Sequence, residues 1–301
     1  MKVFVTGASG AIGRPLVAAL AAAQHEVVGM TSRSEGVKLL GERGAEGVVL
    51  DALDGGAFSA AMAKIRPDAI IDELTSLPRG YTPEEMRKAA PRDCQIRLEG
   101  GGHLHRSALE SGVKRYIVQS TAFFYRTGKG SQRRRTRWRA TQRPASPAAW
   151  PPTCSKRVLG SRGMDGVALR YGFFYGPGTY HDPQSGSISE QLRRREYPVI
   201  DPGTAISSFI HVEDAAAATV AALEILPGAY NIVDDHPVAL AVWLPPFARF
   251  IGAPAPPHIS QKEALQADGP VAIYYATQLR GASNQKARKE FGFAPRLQEK
   301  R

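Results

Sequence analysis

The sequence predicts an α/β protein built on a doubly wound parallel sheet, and three features carry that prediction. Val3-Phe4-Val5-Thr6 is a short apolar strand that runs into Gly7-Ala8-Ser9-Gly10-Ala11-Ile12-Gly13, and Arg14 to Ala23 follows as a Leu- and Ala-rich helix. Strand-like and helix-like segments then alternate as far as Tyr171, which places parallel strands in one sheet with helices on both faces. At Gly176 the texture changes, and Pro and Gly begin to punctuate the chain.

The glycine spacing of the opening turn points to a nucleotide cofactor. Gly7 allows the tight turn, Gly10 lets the backbone approach a pyrophosphate, and Gly13 lets the helix pack closely on the strand. The N–H groups at the helix start and its positive dipole end face the phosphates. A strand before the turn and a helix after it are the context that gives the spacing its meaning, and the arrangement is the Rossmann one.

The remaining elements follow in order. Strands are expected at His25 to Met30, Glu46 to Leu50, Asp68 to Asp72, Arg115 to Gln119 and Gly166 to Tyr171. Between them, helices are expected at Glu35 to Glu42, Gly56 to Lys64 and through Leu104 to Ser111, closed by Gly112. After Gly176 come a short charged helix near Ser189 to Glu196, a strand at Ser208 to Val212, an alanine-rich helix from Glu213 to Leu226 and a strand at Ala229 to Val233. The last third reads as helical and proline-broken. The expected organisation is a dinucleotide-binding domain over 1–175, with 206–235 returning to it, and a small substrate lobe from 176–205 and 236–301.

Composition narrows the class. Hydrophobic residues make up 43% of 301, enough for a substantial core, and no apolar run approaches the roughly 20 residues that span a bilayer. The apolar start is a strand ending in a glycine turn, unlike a signal peptide, and Cys94 and Cys154 offer neither a disulfide framework nor metal-ligand spacing. A cytoplasmic protein with no membrane partner and no metal is expected. Eleven Lys and Arg residues between Arg126 and Arg162, with no Asp or Glu among them, equal the whole net charge of +11. The rest of the chain is charge-balanced, and the basic segment carries no groove-reading motif, which argues against nucleic acid as a partner.

These residues resemble the extended short-chain dehydrogenase/reductase superfamily, in particular its NAD-dependent epimerase/dehydratase branch. The resemblance rests on Thr6 to Gly13, Asp51 after the third strand, Val118-Gln119-Ser120-Thr121, Arg170-Tyr171-Gly172-Phe173-Phe174-Tyr175-Gly176-Pro177-Gly178 and Phe209-Ile210-His211-Val212-Glu213-Asp214-Ala215-Ala216. It implies hydride transfer between a nicotinamide and a carbon bearing a hydroxyl or carbonyl on a small molecule, a nucleotide sugar being one candidate. It further implies that Thr121 holds the reacting oxygen, with Ser120 adjacent, that Tyr171 and Phe173 pack near the nicotinamide, and that Asp51 meets the adenine edge. The cofactor set is Gly7, Ser9, Gly10, Ala11, Ile12, Gly13, Arg33, Asp51, Ser120 and Tyr171. After the second strand stands Thr31-Ser32-Arg33 with no acid, which favours NADP, NAD being the alternative. A homodimer is left open.

The chain departs from this family at one place. The family's Tyr, four residues before a Lys, transfers the proton, because a Lys one helical turn away lowers the phenol's pKa. No Tyr lies between Tyr125 and Tyr171, and Pro152 stands four residues before Lys156. The Asn expected before Gly100 is replaced by Cys94-Gln95-Ile96. Residues 126–160 are either a genuine basic loop or the product of a local reading-frame shift in a GC-rich gene, with sense returning at Val158. Poor order and no sheet-covering helix are expected over 126–157, where Pro144, Pro147, Pro151 and Pro152 break any continuation. An oxidoreductase of impaired activity and a non-catalytic NAD(P)-binding sensor or scaffold are the competing readings. His181, expected as an exposed loop residue, is an alternative acid/base, and Arg193-Arg194-Arg195 reads as a solvated face or a phosphate grip. His211 and Asp214 read as structural.

Overall fold

The computed structural model describes residues 1–123, 125 and 150–296. The first half runs β1 (Lys2–Thr6), α1 (Gly13–Ala22), β2 (Glu26–Thr31), α2 (Ser34–Gly41), β3 (Glu46–Val49), α3 (Gly55–Ile65), β4 (Ala69–Asp72), α4 (Pro83–Gln95), α5 (Gly101–Glu110) and β5 (Arg115–Thr121). A π-helical turn, Ile96–Gly100, joins α4 to α5. Then come α6 (Trp150–Leu159), β6 (Asp165–Tyr171), β7 (Phe173–Tyr175), α7 (Ser187–Arg193), β8 (Val199–Ile200), β9 (Ile206–Ser207), β10 (Phe209–His211), α8 (Val212–Ala221) and β11 (Gly228–Ile232). The chain continues with β12 (Val238–Ala239), α9 (Leu240–Phe250), β13 (His258–Ile259), α10 (Gln261–Asp268), α11 (Pro270–Ile273) and, after a second π-helical turn at Tyr274–Gln278, α12 (Gln285–Phe291).

Seven strands form one parallel sheet in the order β11-β6-β5-β4-β1-β2-β3. The order reverses between β1 and β4, where Val3 to Thr6 pair with Ala69 to Asp72. At such a reversal the connecting loops leave in opposite directions and open a crevice at the strands' C-terminal ends. One sheet face buries Leu16, Val17 and Leu20 of α1 with Ala215 and Ala218 of α8. The other buries Phe58 and Met62 of α3, Leu104 and Ala108 of α5, and Cys154 and Val158 of α6. Alternate strand residues feed the two layers: Ile117 lies in the first and Tyr116 and Val118 in the second. A third apolar cluster joins Ile188 and Leu192 of α7 to Leu240, Leu244 and Ala248 of α9.

The expected doubly wound sheet is present, with element ends shifted by a few residues. Residues 126–149 lie outside the described residues, so the expectations placed on them are not addressed. Over 150–157 the expectation of no sheet-covering helix is corrected. Pro151 and Pro152 fall in the first turn of α6, where the backbone N–H has no intrahelical acceptor to lose. Cys154 and Ser155 are already buried, so the fit to the sheet begins before Val158. The prolines of the last third do not break it as expected either, since α9 runs through Pro245 and Pro246.

The packing of α6 is testable through its thiol. Cys154 is 5% exposed, its Sγ donates to the Arg97 carbonyl oxygen at 3.3 Å, and burial pushes the thiol up to about 12. Cys94 is only half-buried. In the native protein a thiol reagent at neutral pH should modify Cys94 and reach Cys154 only on unfolding. Equal rates at both cysteines would show that α6 does not cover the sheet.

Candidate functional site

The opening glycine turn is as tight as its spacing requires. Gly7 has φ +61°, and a Cβ there would lie 2.3 Å from the carbonyl oxygen of Glu73, the residue after β4. A Cβ on Gly13 would stand 2.2 Å from the Gly7 oxygen. Gly10 differs: it is exposed, and a Cβ would meet only the Gly7 oxygen, at 3.1 Å. Two glycines therefore close the turn against β4 and α1, while the third leaves its outer face open. Ile12 is buried in the core below, Ala11 is half-buried, and Ser9 Oγ lies 3.5 Å from Thr31 Oγ1 at the end of β2. The shape and the N–H groups at the start of α1 fit a pyrophosphate, which those groups would hold.

Arg33 is exposed at the N-cap position of α2, and its N–H donates to Thr31 Oγ1 at 3.3 Å. Asp51 is exposed, and one carboxylate oxygen accepts the Leu53 N–H at 3.0 Å. The other is left for a ligand or water.

At the C-terminal end of β5, Ser120 and Thr121 point to opposite faces. Ser120 Oγ accepts from Ser155 Oγ of α6 at 3.1 Å, and both residues are buried. Ser155 precedes Lys156, which is exposed. Thr121 is 7% exposed, and among the described residues its Oγ1 has no hydrogen-bond partner. Its neighbour across the parallel ladder is Tyr171. Arg97, in the π-helical turn, pairs with Asp93 at 2.9 Å and donates to Gln119 Oε1 at 3.0 Å, so a fixed cation stands near the position expected for an Asn.

Tyr171 is 2% exposed and its hydroxyl is committed to the protein, lying 3.1 Å from Glu73 Oε1 and 2.6 Å from Thr219 Oγ1. Thr219 in turn donates to the Ala215 oxygen at 2.7 Å. With an ionised Glu73, Tyr171 donates to it, and Thr219 cannot serve both Ala215 and Tyr171. With a neutral Glu73 the protons run one way, from carboxyl to phenol to Thr219 to Ala215, and every hydroxyl keeps a partner. Burial pushes Glu73 up to about 8, against the lowering effect of the Tyr171 hydrogen bond, and the Asp72 charge beside it adds to the rise. Glu73 Oε2 has no hydrogen-bond partner. Sequence reasoning missed Glu73; an acid directly after an apolar strand was its only signal.

His181 is not the exposed loop residue expected. It is 7% exposed, its Nδ1 lies 3.0 Å from the Phe174 oxygen, and burial lowers its pKa to about 4. A neutral ring donating through Nδ1 leaves Nε2 as an acceptor. Arg193 donates to the Pro183 and Gln184 carbonyls, which commits the first of the three arginines to its own loop. His211 caps α8 by accepting the Glu213 N–H, and Asp214 accepts the Arg296 N–H, as structural roles require. A separate cleft of about 500 Å³ beyond β11 is lined by Asp234, His236, Asn284 and Arg288, and Asp235 there accepts from Asn284 and Arg288. Among the described residues, no cluster of His, Cys, Asp and Glu could hold a metal ion, and no helix is long and apolar enough to cross a membrane.

Glu73 makes stability pH-dependent. Its folded pKa is raised, so its contribution is full below the unfolded value and is lost as pH rises through about 8. The melting temperature of the native chain should fall as pH rises from roughly 5 to 9. Glu73→Gln, which keeps the shape and the donor without the charge, should reduce that fall by several degrees. Identical slopes would mean that Glu73 is ionised throughout.

Comparison with known proteins agrees with this geometry. A reductase of Streptomyces sp., 3-diazoavenalumate denitrifying reductase, is 33% identical over 98% of this chain and 96% of its own length. The UDP-glucose 4-epimerase of Thermotoga maritima, solved with UDP-glucose, shares the fold at TM-score 0.75 and 19% identity, covering 98% of this chain and 94% of that one. The dTDP-glucose 4,6-dehydratase of Bacillus anthracis, solved with NAD, does so at TM-score 0.75 and 15% identity, over 98% and 92% of the two chains. The family pattern itself spans residues 3–232, and the chain belongs to the NAD dependent epimerase/dehydratase family.

Proposed function

We propose that this protein is an NAD(P)H-dependent reductase of a small molecule whose reduction requires hydride and no proton from the enzyme. The observation that carries the reading is the pairing of an intact cofactor cradle with an unpartnered Thr121 hydroxyl at a site that has no Tyr-x-x-x-Lys. General acid–base catalysis typically supplies 10²–10⁴-fold. Without the tyrosine, alcohol–carbonyl interconversion is slow, whereas an acceptor that carries its own leaving group is unaffected.

The Streptomyces relative is named for a reduction that removes nitrogen from a diazo compound, which is chemistry of that kind. When bound, NAD(P)H supplies the hydride: R–N₂⁺ + NAD(P)H gives R–H + N₂ + NAD(P)⁺, balanced in atoms and charge with no proton exchanged. The protein's part is to bind and orient. Gly7, Ser9, Gly10 and the start of α1 hold the pyrophosphate, Arg33 reads a 2′-phosphate and so selects NADP, and Asp51 takes the adenine edge. Thr121 Oγ1 holds the acceptor's polar group beside the nicotinamide. Residues 176–205 and 236–301 form the substrate lobe.

A second reading, a cofactor-binding sensor without turnover, is favoured by the missing tyrosine alone. Turnover separates the two. With NADPH, initial rates above the uncatalysed background should appear for a diazonium salt and be negligible for ketones and nucleotide sugars. Thr121→Val should lower the diazonium rate about tenfold, the worth of one hydrogen bond of roughly 1–1.5 kcal/mol. Cofactor binding with no turnover of any acceptor would establish the sensor instead.

Cofactor assignment is tested by calorimetry. Gly10→Val fills the open face of the turn and should abolish binding of NADP and NAD alike. Arg33→Ala should weaken NADP at least tenfold more than NAD, and equal losses would remove Arg33 from 2′-phosphate recognition.

A further inference from the structure

Thr121 closes β5 two residues before Phe123, the first of a group of aromatic rings. Phe123, two residues beyond β5, stacks on Phe173 of β7 with centroids 4.1 Å apart and planes at 20°. Tyr275 meets both edge-on, at 6.4 and 6.2 Å. Phe173 lies 5.7 Å from Phe209 of β10, and Phe209 lies 5.1 Å from Trp243 of α9. His181 closes the group, 5.2 Å from Phe209 and 5.8 Å from Trp243. These rings come from segments far apart in sequence and converge where the sheet's C-terminal edge meets the α7–α9 cluster.

Two features separate this group from ordinary core. The chain's core aromatics, Phe4, Phe58, Tyr116 and Tyr230, are fully buried, whereas Phe123, Phe173, Phe209, Trp243 and Tyr275 are each only half-buried. Two polar atoms of the segments that carry these rings are also unsatisfied: among the described residues, Thr121 Oγ1, on the strand leading to Phe123, and Trp243 Nε1 have no hydrogen-bond partner. A buried donor without an acceptor costs roughly 1–3 kcal/mol, which a bound acceptor would recover. The indole N–H can only donate, so its partner must be an acceptor. None of the six rings carries a fixed charge, which suits a neutral planar surface better than a diphosphate.

We propose that this ring group recognises a planar aromatic substrate, stacked against Phe123, Phe173 and Tyr275, with its reacting group at Thr121 and an acceptor such as a carboxylate or carbonyl oxygen at Trp243 Nε1. The proposal rests on the reductase reading for the position of the reacting end and adds to it the class of molecule reduced. Phe173 and Trp243 are its specificity-determining residues. Aromatic stacking contributes about 0.5–1.5 kcal/mol beyond area burial, so a ring should be preferred over a saturated analogue of the same size by up to about tenfold.

The test is equilibrium binding to the 301-residue chain saturated with NADP⁺, measured by calorimetry with three probes: 4-hydroxycinnamate, its saturated analogue 3-(4-hydroxycyclohexyl)propanoate, and UDP-glucose. The cinnamate should bind up to about tenfold more tightly than its saturated analogue, and more tightly than UDP-glucose. Phe173→Leu, which keeps an apolar side chain, and Trp243→Phe, which keeps the ring and removes the N–H, should each weaken it about tenfold and leave the melting temperature unchanged, and Trp243→Phe should also leave NADP⁺ affinity unchanged. Preference for UDP-glucose, equal binding of the saturated acid, no binding of the cinnamate, or indifference to both substitutions overturns the proposal. Failure of the wild-type chain to bind either NADP⁺ or NAD⁺ overturns the reductase reading separately, and the same three probes titrated without cofactor then decide the ring group on its own.

Discussion

The contact on which the rest depends is the backbone approach between the first turn and the end of β4. Gly7 sits so close to the Glu73 carbonyl that one added carbon would lie 2.3 Å from it. This approach sets the reversal point of the sheet, because it fixes how closely the loops after β1 and β4 can lie. It also makes the crevice narrow at its base and open above Gly10, the shape a pyrophosphate needs. The positive φ of Gly7 and the Gly13 packing serve the same end.

Polar groups behind this contact are organised on the two sheet faces. On one, Asp72 accepts from Tyr116 at 2.8 Å and Thr6 at 3.2 Å, tying β4, β5 and β1 together at their ends. On the other, Glu73, Tyr171 and Thr219 tie β4, β6 and α8. Burial raises both carboxyl pKa values, and a neutral Glu73 is the state in which its hydroxyl neighbours are all satisfied. The cofactor side of the crevice thus rests on a rigid, hydrogen-bonded floor, and preorganisation of this kind keeps a site within the tolerance that positioned chemistry demands.

Loss of the family's proton-transferring pair leaves that floor intact. Ser155 still anchors α6 to Ser120, and Arg97 still holds Gln119. What changes is the reaction the site can serve. A scaffold that positions hydride donor and acceptor without moving protons suits acceptors that expel their own leaving group. The aromatic rings at the sheet edge then supply a surface on which such an acceptor can be aligned.

The alternation of apolar strands with helices, and the glycine spacing, were legible in the sequence because both depend on local periodicity and on backbone conformations that only glycine tolerates. The cradle, Thr121 at a strand end and the absence of a tyrosine before Lys156 were legible for the same reason. The prolines were misleading. Pro151, Pro152, Pro245 and Pro246 all lie within helices, since tertiary packing outweighs the local cost and the first turn has no hydrogen bond to lose. His181 was read as exposed because a Pro- and Gly-rich segment looks like surface, whereas Phe209 and Trp243, distant in sequence, close over it. Glu73 and the ring group gave no periodic signal. Burial, the partner across the ladder and the convergence of distant segments are properties of packing, so only the tertiary structure could decide them.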